Sequence, residues 1–271
     1  MLAVALALSL QASDGRVSSV TGDLRIHPKF ASEPLGNERT LRVWLPPGYE
    51  KEGRRRYPVT YLHDGQNVFD GMTSFIPNQE WRADETATAL IGAGLLPPMI
   101  VVGIDNAGAS RGDEYLPTRR GYGGKADAYG EFLMKEVMPF IDRTYRTRRG
   151  ARDTALVGSS FGGVITSYLG LRHPEAFGRL GICSPSVWWD SRVLLRLVSE
   201  APKKTGQRLW IDIGTKEGTK AVTDAQDLAK AYEAKGWRSG RDLALIVEDG
   251  KEHNEAAWAG RFDTMMIFLW K

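Results

Sequence analysis

The sequence predicts an α/β fold in which a mostly parallel central sheet is covered by helices on both faces. Three observations carry this prediction. Six short runs, VTYLHD, MIVVGID, TALVGSS, RLGICSPS, LWIDIG and LALIVED, are almost continuously apolar rather than alternating, as strands buried on both faces must be. Helix-length segments separate them, the alternation expected of parallel strands joined by crossovers. No Ser/Pro-rich linker, internal repeat or low-complexity tract divides the chain, so residues 13–271 read as a single domain.

Taken in order, residues 1–12 open with the apolar run of MLAVALALSLQASDG, which has the length of a signal-peptide core and is too short to span a bilayer. Small residues around Ser9 and Ala12 suit a cleavage site, while no Lys or Arg precedes the run. Export to a periplasmic or extracellular space is the expectation, with a mis-set start or a short buried strand in a cytoplasmic protein as the alternative. A β-region follows over 17–30 and 39–45. VTYLHD then leads to a helix over 81–94, MIVVGID to a helix over 126–142, and TALVGSS to a helix over 161–172. RLGICSPS precedes a helix over 190–199, LWIDIG one over 221–235, and LALIVED one over 254–270. In such sheets functional sites form beyond the carboxyl ends of the strands, which selects the residues just after each apolar run.

Composition excludes several functions. The 36 basic and 33 acidic residues leave a net charge of +3, and the densest basic cluster, Arg54, Arg55 and Arg56, reads as a solvated loop rather than a nucleic-acid surface. A single cysteine, Cys183, rules out an intrachain disulfide and a multi-thiolate zinc site, and reads as a buried inert thiol. The four histidines (His27, His63, His173 and His253) never fall at ligand spacing, and no loop is rich enough in carboxylates to hold calcium. Neither a metal nor a cofactor is expected.

The chemistry is carried by ALVGSSFGGVIT, residues 155–166. Gly158-Ser159-Ser160-Phe161-Gly162 fits G-x-S-x-G with Ser160 at its centre, between a strand and a helix. A nucleophile on such a sharp turn crowds the positions two residues away on either side, where glycine fits. A glycine-rich turn that opens a helix is also a phosphate cradle, so the pentapeptide alone leaves both readings open.

A serine hydroxyl needs a base, and the base needs an orienting group. Of the two histidines after Ser160, His173 sits at the end of the same helix and suits a cap, whereas His253 lies on the loop after the last strand. Glu217, in the turn after LWIDIG, is the candidate acid. Asp212 falls within that strand, and Asp224 and Asp227 on the next helix. An oxyanion requires two N–H donors. Phe161, after the nucleophile, supplies one, and Gln66 in YLHDGQNVFD, where Gly65 lets the chain turn, supplies the other. His63 precedes the serine and reads as a structural, hydrogen-bonded residue.

These motifs, together with LRVWLPPGYE, DEYLPT, KADAYGEFLMKEVMPFIDRTYRT, SPSVWWD, IDIGTKEG and HNEAAW, make the chain similar to the putative-esterase family of α/β-hydrolases, from about Val17 onward. That family includes enterochelin and bacillibactin esterases, feruloyl and acetylxylan esterases, S-formylglutathione hydrolases and mycolyltransferases. The resemblance implies an α/β-hydrolase fold and a serine carboxylic-ester hydrolase with Ser160, Glu217 and His253 as its triad. It implies Gln66 after Asp64-Gly65 as an oxyanion donor, and Trp188 and Trp189 beside the acyl pocket, with a core role for one of them as the alternative. Asp64, Arg111 and Asn254 are further substrate-binding candidates, Arg111 either lining the mouth of the site or pairing with Glu114 on its rim. The R-x-x-E-Y-T-P loop of the siderophore branch reads Arg111-Gly112-Asp113-Glu114-Tyr115-Leu116-Pro117 here, without its threonine.

The expected partner is a small-molecule or carbohydrate-linked ester, with siderophore esters among them, and no nucleic acid or stable membrane insertion is expected. Acyl transfer to an alcohol uses the same residues, and a siderophore or glycan binder that does not hydrolyse would keep the same pocket. Oligomeric state is not readable from the sequence.

Overall fold

The computed structural model describes residues 15–202 and 206–271, so the apolar run read as an export signal lies outside the described residues. Strands β1 (Asp23–Ser32), β2 (Asn37–Leu45) and β3 (Val59–His63) are followed by helix α1 (Ala83–Gly92), strand β4 (Ile100–Ile104) and helix α2 (Arg111–Tyr115). A small hairpin, β5 (Arg119–Arg120) and β6 (Tyr122–Gly123), leads into α3 (Ala126–Glu131), a π-helical stretch (Phe132–Val137) and α4 (Met138–Thr144). Then come β7 (Thr154–Ser159), α5 (Phe161–Arg172), β8 (Arg179–Cys183), α6 (Trp189–Glu200), β9 (Arg208–Gly214), α7 (Thr219–Ala234), β10 (Leu243–Glu248) and α8 (Glu255–Trp270).

Eight strands form one sheet in the order β1-β2-β4-β3-β7-β8-β9-β10. It is parallel from β4 to β10, and β1 and β2 join antiparallel at one edge. Both faces are buried, and the twofold period of a strand divides its residues between them. Tyr61, Val102, Leu156 and Ile211 point into one core with α5 and α7, while Leu62, Val101, Val157 and Trp210 point into another with α1 and α8. Each such side chain contributes about 1.5–3 kcal/mol by leaving water. This is why the strands read as unbroken apolar runs.

Two expectations are corrected. The first is the β-region over 17–30, which becomes a strand only from Asp23. Residues 15–22 form a strap instead, because Asp70 and Asn78 of the loop after β3 and Asp84 of α1 capture its backbone. Val17 N–H donates to Asn78 Oδ1 at 2.9 Å, Ser19 N–H to Asp70 Oδ1 at 3.2 Å, and Thr21 N–H to Asp84 Oδ2 at 2.6 Å. Ser19 Oγ donates to Glu80 and accepts from Gly71 N–H, while Trp44 Nε1–H donates to Thr21 O. Gly22, with φ +79°, ends the strap where a Cβ would lie 2.9 Å from Trp44 Nε1.

The second is the helix over 190–199. Asp190, Ser191 and Arg192 adopt left-handed backbone angles (φ 42°, 54° and 62°), and regular helix follows them. Such angles are costly for residues with a Cβ. Here Arg192 is held by Asp224 and Asp227 of α7 at 3.0 and 2.5 Å, contacts that local sequence does not display.

Candidate active site

The carboxyl ends of β3, β7, β8, β9 and β10 open on one side of the sheet, and Ser160 stands at its centre. It has φ 61° and ψ −121° between β7 and α5, the strained elbow expected of an exposed nucleophile. Its N–H donates to Cys183 O, and its carbonyl accepts from Gly163, Val164 and Ser186 N–H. The glycines are not equivalent. A Cβ on Gly158 would lie 2.7 Å from Gly162 O and 2.8 Å from His63 Cδ2, whereas one on Gly162 would meet the Asp64 carboxylate at 3.3 Å and His63 Cβ at 3.5 Å. A Cβ on Gly163 would lie 3.1 Å from Cys183 O and 3.2 Å from Pro185 Cα.

Glu217 and His253 meet beyond β9 and β10. His253 Nδ1 lies 2.6 Å from Glu217 Oε2, with the glutamate side chain 3% exposed and the imidazole 44% exposed. Glu217 Oε1 accepts from Ser184 Oγ at 2.6 Å and Gly214 N–H at 2.8 Å. Burial opposes its ionisation, but the hydrogen bonds from His253, Ser184 and Gly214 outweigh that and hold the carboxyl below its usual range. Gly214 lets the two loops approach: a Cβ there would lie 2.2 Å from Lys251 O. The Trp258 ring meets the imidazole edge-on at 5.0 Å and donates its Nε1–H to Ser184 Oγ.

Ser160 and His253 both line two adjoining cavities. One, of about 450 Å³, is walled by Phe161, Trp188, Ile213, Ala221 and the polar Ser186 and Lys220. The other, of about 370 Å³, is walled by Gln66, Asn106, Arg111, Glu255, Phe75 and Trp258 among others. In this conformation Ser160 Oγ is turned toward Ser186 Oγ, 3.4 Å away, and not hydrogen-bonded to His253. Catalytic hydrogen bonds of this kind often close only around a substrate.

Gln66 occupies the short 3₁₀ turn Gly65–Asn67 after β3. A Cβ on Gly65 would lie 2.5 Å from the backbone of Gly103 and Ile104, so glycine is required there. The turn is tied by Asn67 N–H to Asp64 O and Val68 N–H to Gly65 O, and the N–H groups of Gln66 and Phe161 take no part in the bonds that fix the two turns. Behind them His63 is buried, its Nδ1 2.9 Å from Tyr129 Oη, and burial pushes its pKa down to about 3, so the ring is neutral.

The remaining candidates separate. Asp64 and Arg111 line the second cavity but bind one another, with two bonds of 2.6 and 2.8 Å, and Asn106 Nδ2 donates to Asp64 at 2.7 Å. Arg111 therefore does not pair with Glu114, which is buried and held by Arg39 at 2.8 Å and Asn37 at 2.7 Å. Trp188 is 51% exposed on the first cavity, but Trp189 is buried with Leu116, Val164 and Val193 and donates to Thr118 Oγ1. Asn254 is a helix cap, its Oδ1 accepting from Ala257 N–H at 2.9 Å. Asp212 is buried against Arg261 of α8 at 3.0 Å. His173 ends α5 and meets Glu175 at 3.3 Å. Sequence reasoning missed Ser184, Ser186, Asn67 and Glu255. The signal for the serines was SPS after β8, at the same sheet edge as the elbow.

With this geometry in place, the comparisons add the family. The family described as "Putative esterase" matches residues 32–269. Among relatives, protein YbbA of Bacillus subtilis is 23% identical over 88% of this chain and 95% of its own length. An endo-1,4-beta-xylanase/feruloyl esterase of Xylanibacter ruminicola is 29% identical over 89% of this chain, which spans only 31% of that protein. The structure of the enterobactin esterase FES from Shigella flexneri superposes with a TM-score of 0.73 at 22% identity, covering 94% of this chain and 60% of the other. Agreement at that identity concerns the α/β architecture.

Proposed function

Because this chain belongs to the putative-esterase family, it is a carboxylic-ester hydrolase, and we propose that it works through an acyl-enzyme on Ser160. The observation that carries the reading is the strained elbow at Ser160, facing the same two cavities as His253, whose Nδ1 Glu217 holds. Glu217 occupies Nδ1 of the imidazole, which leaves Nε2 to exchange protons with the serine. Rotation about χ1 swings Ser160 Oγ from Ser186 to His253. The oxygen then attacks the ester carbonyl carbon while its proton passes to Nε2. The N–H groups of Gln66 and Phe161 hold the resulting oxyanion. Collapse breaks the bond to the alcohol oxygen, which takes the proton from His253. Water, deprotonated by the same imidazole, releases the acid and restores the serine.

The walls suit an ester that combines a flat ring with polar groups. Phe161, Trp188 and Ile213 stand beside Ser186 and Lys220 on one side of Ser160, and Phe75 and Trp258 beside Asn106 and Gln66 on the other. Siderophore and carbohydrate-linked esters both have this form, as the names of the enterobactin and feruloyl esterase relatives suggest. The test is a panel of esters varied in acyl chain and alcohol, given to wild type and Ser160→Ala. Turnover by the wild type, with loss of at least about 10⁴-fold in the variant, is expected. Undiminished turnover by Ser160→Ala would overturn the mechanism.

A further inference from the structure

Between the oxyanion turn and the histidine loop lies a buried polar contact that the mechanism has not used. Asn67, buried at the end of the Gly65–Asn67 turn, donates from Nδ2 to Glu255 Oε1 at 2.9 Å, across 188 positions of sequence. Its Oδ1 accepts from Phe75 N–H at 2.8 Å and lies 3.5 Å from Ser74 Oγ, and its carbonyl accepts from Trp81 N–H at 2.9 Å. One amide thus joins the residue after Gln66, the loop that walls the second cavity, and the first residue of α8, two places beyond His253.

The need for such a tie follows from the other contacts of the histidine. The imidazole is 44% exposed, hydrogen-bonded to Glu217 and in T-shaped contact with the Trp258 ring. Glu255 is 5% exposed and faces the same cavity. Starting α8 does not require it, since Asn254 already supplies the cap. A carboxyl taken out of water is costly without a donor, and Asn67 is that donor.

We infer that Asn67 and Glu255 are a positioning pair, setting the distance between the oxyanion N–H of Gln66 and the imidazole of His253. The inference rests on the roles just given to those residues. Neither member of the pair touches the reacting atoms. A displacement of the order of 1 Å between donor and base is enough to cost about 100-fold in rate.

Exchange of the two functional groups provides the test. Asn67→Asp sets two carboxyl groups against each other, and kcat should fall about 100-fold while KM for a short ester changes less than about threefold. Adding Glu255→Gln restores one donor and one acceptor with reversed polarity, and kcat should recover at least tenfold over Asn67→Asp. Asn67→Ala, with its melting temperature checked, covers the case in which Asn67→Asp does not fold, and it too should lose kcat more than it gains KM. Wild-type kcat in Asn67→Ala, or a double variant no faster than Asn67→Asp, overturns the pair. Failure of the underlying mechanism shows separately, as Ser160→Ala retaining full activity.

Discussion

The proposed nucleophile and its proposed base are held by different means. Ser160 is fixed by backbone: four main-chain hydrogen bonds and the close approach of Gly158 and Gly163 to neighbouring strands and turns. His253 is fixed by side chains, with Glu217 on one nitrogen, Trp258 at its edge, and Gly214 only making room for its loop. The first arrangement belongs to the folded core and survives as long as the sheet does. The second rests on one carboxylate and one ring contact.

The largest test of that contrast is Glu217→Gln. An amide cannot stabilise the imidazolium in the same way, and kcat should fall about 10³- to 10⁴-fold while the melting temperature hardly changes. A large drop in melting temperature would show the corner to be part of the core after all. Next come the two glycines. Gly158→Ala drives a Cβ into Gly162 O and the buried His63, and should cost about 1–3 kcal/mol of stability together with activity. Gly214→Ala drives a Cβ into the Lys251 carbonyl and pushes the histidine loop away from the Glu217 turn, outside the two sheet-covering cores. It should lose kcat with a smaller loss of stability, measured by denaturant unfolding beside turnover.

The smallest effect concerns pH and the N-terminal strap. Burial, followed by the neighbouring Glu85, pushes the Asp84 carboxyl above its ordinary range. Its folded-state pKa therefore lies above the unfolded one, so the folded protein keeps a proton that the unfolded chain releases. This destabilises the fold progressively as pH rises through the ordinary carboxylate range and vanishes below it. Asp84→Asn keeps an acceptor for Thr21 and should flatten the fall in melting temperature between about pH 4 and pH 8. Parallel curves for the two proteins would refute the assignment.

The same division explains what the sequence disclosed. Strands β3, β4 and β7 to β9 were legible because burial on both faces forces unbroken apolar runs, and the elbow because its backbone angles demand glycine nearby; β10 carries such a run although it lies half-buried at the sheet edge. Order along the chain then picked out Glu217 and His253, which the structure brings to 2.6 Å. What stayed hidden depends on partners far away in sequence. Arg111 finds Asp64 across 47 positions and Glu114 finds Arg39 across 75, and adjacent tryptophans look alike until one is covered by Leu116 and Val193. Asn254 looked like a ligand for substrate because an amide beside the base can serve either chemistry or a helix end, and only the Ala257 N–H decides which.

The strap over residues 15–22 carries a practical consequence. Asp70, Asn78 and Glu80, which hold it, flank the exposed Phe75 and the half-buried Ile76 at the mouth of the second cavity. The strap is thus a brace behind one wall of the second cavity, so a change that weakens it, such as Asp70→Ala, should be felt first by esters bulky enough to reach Phe75.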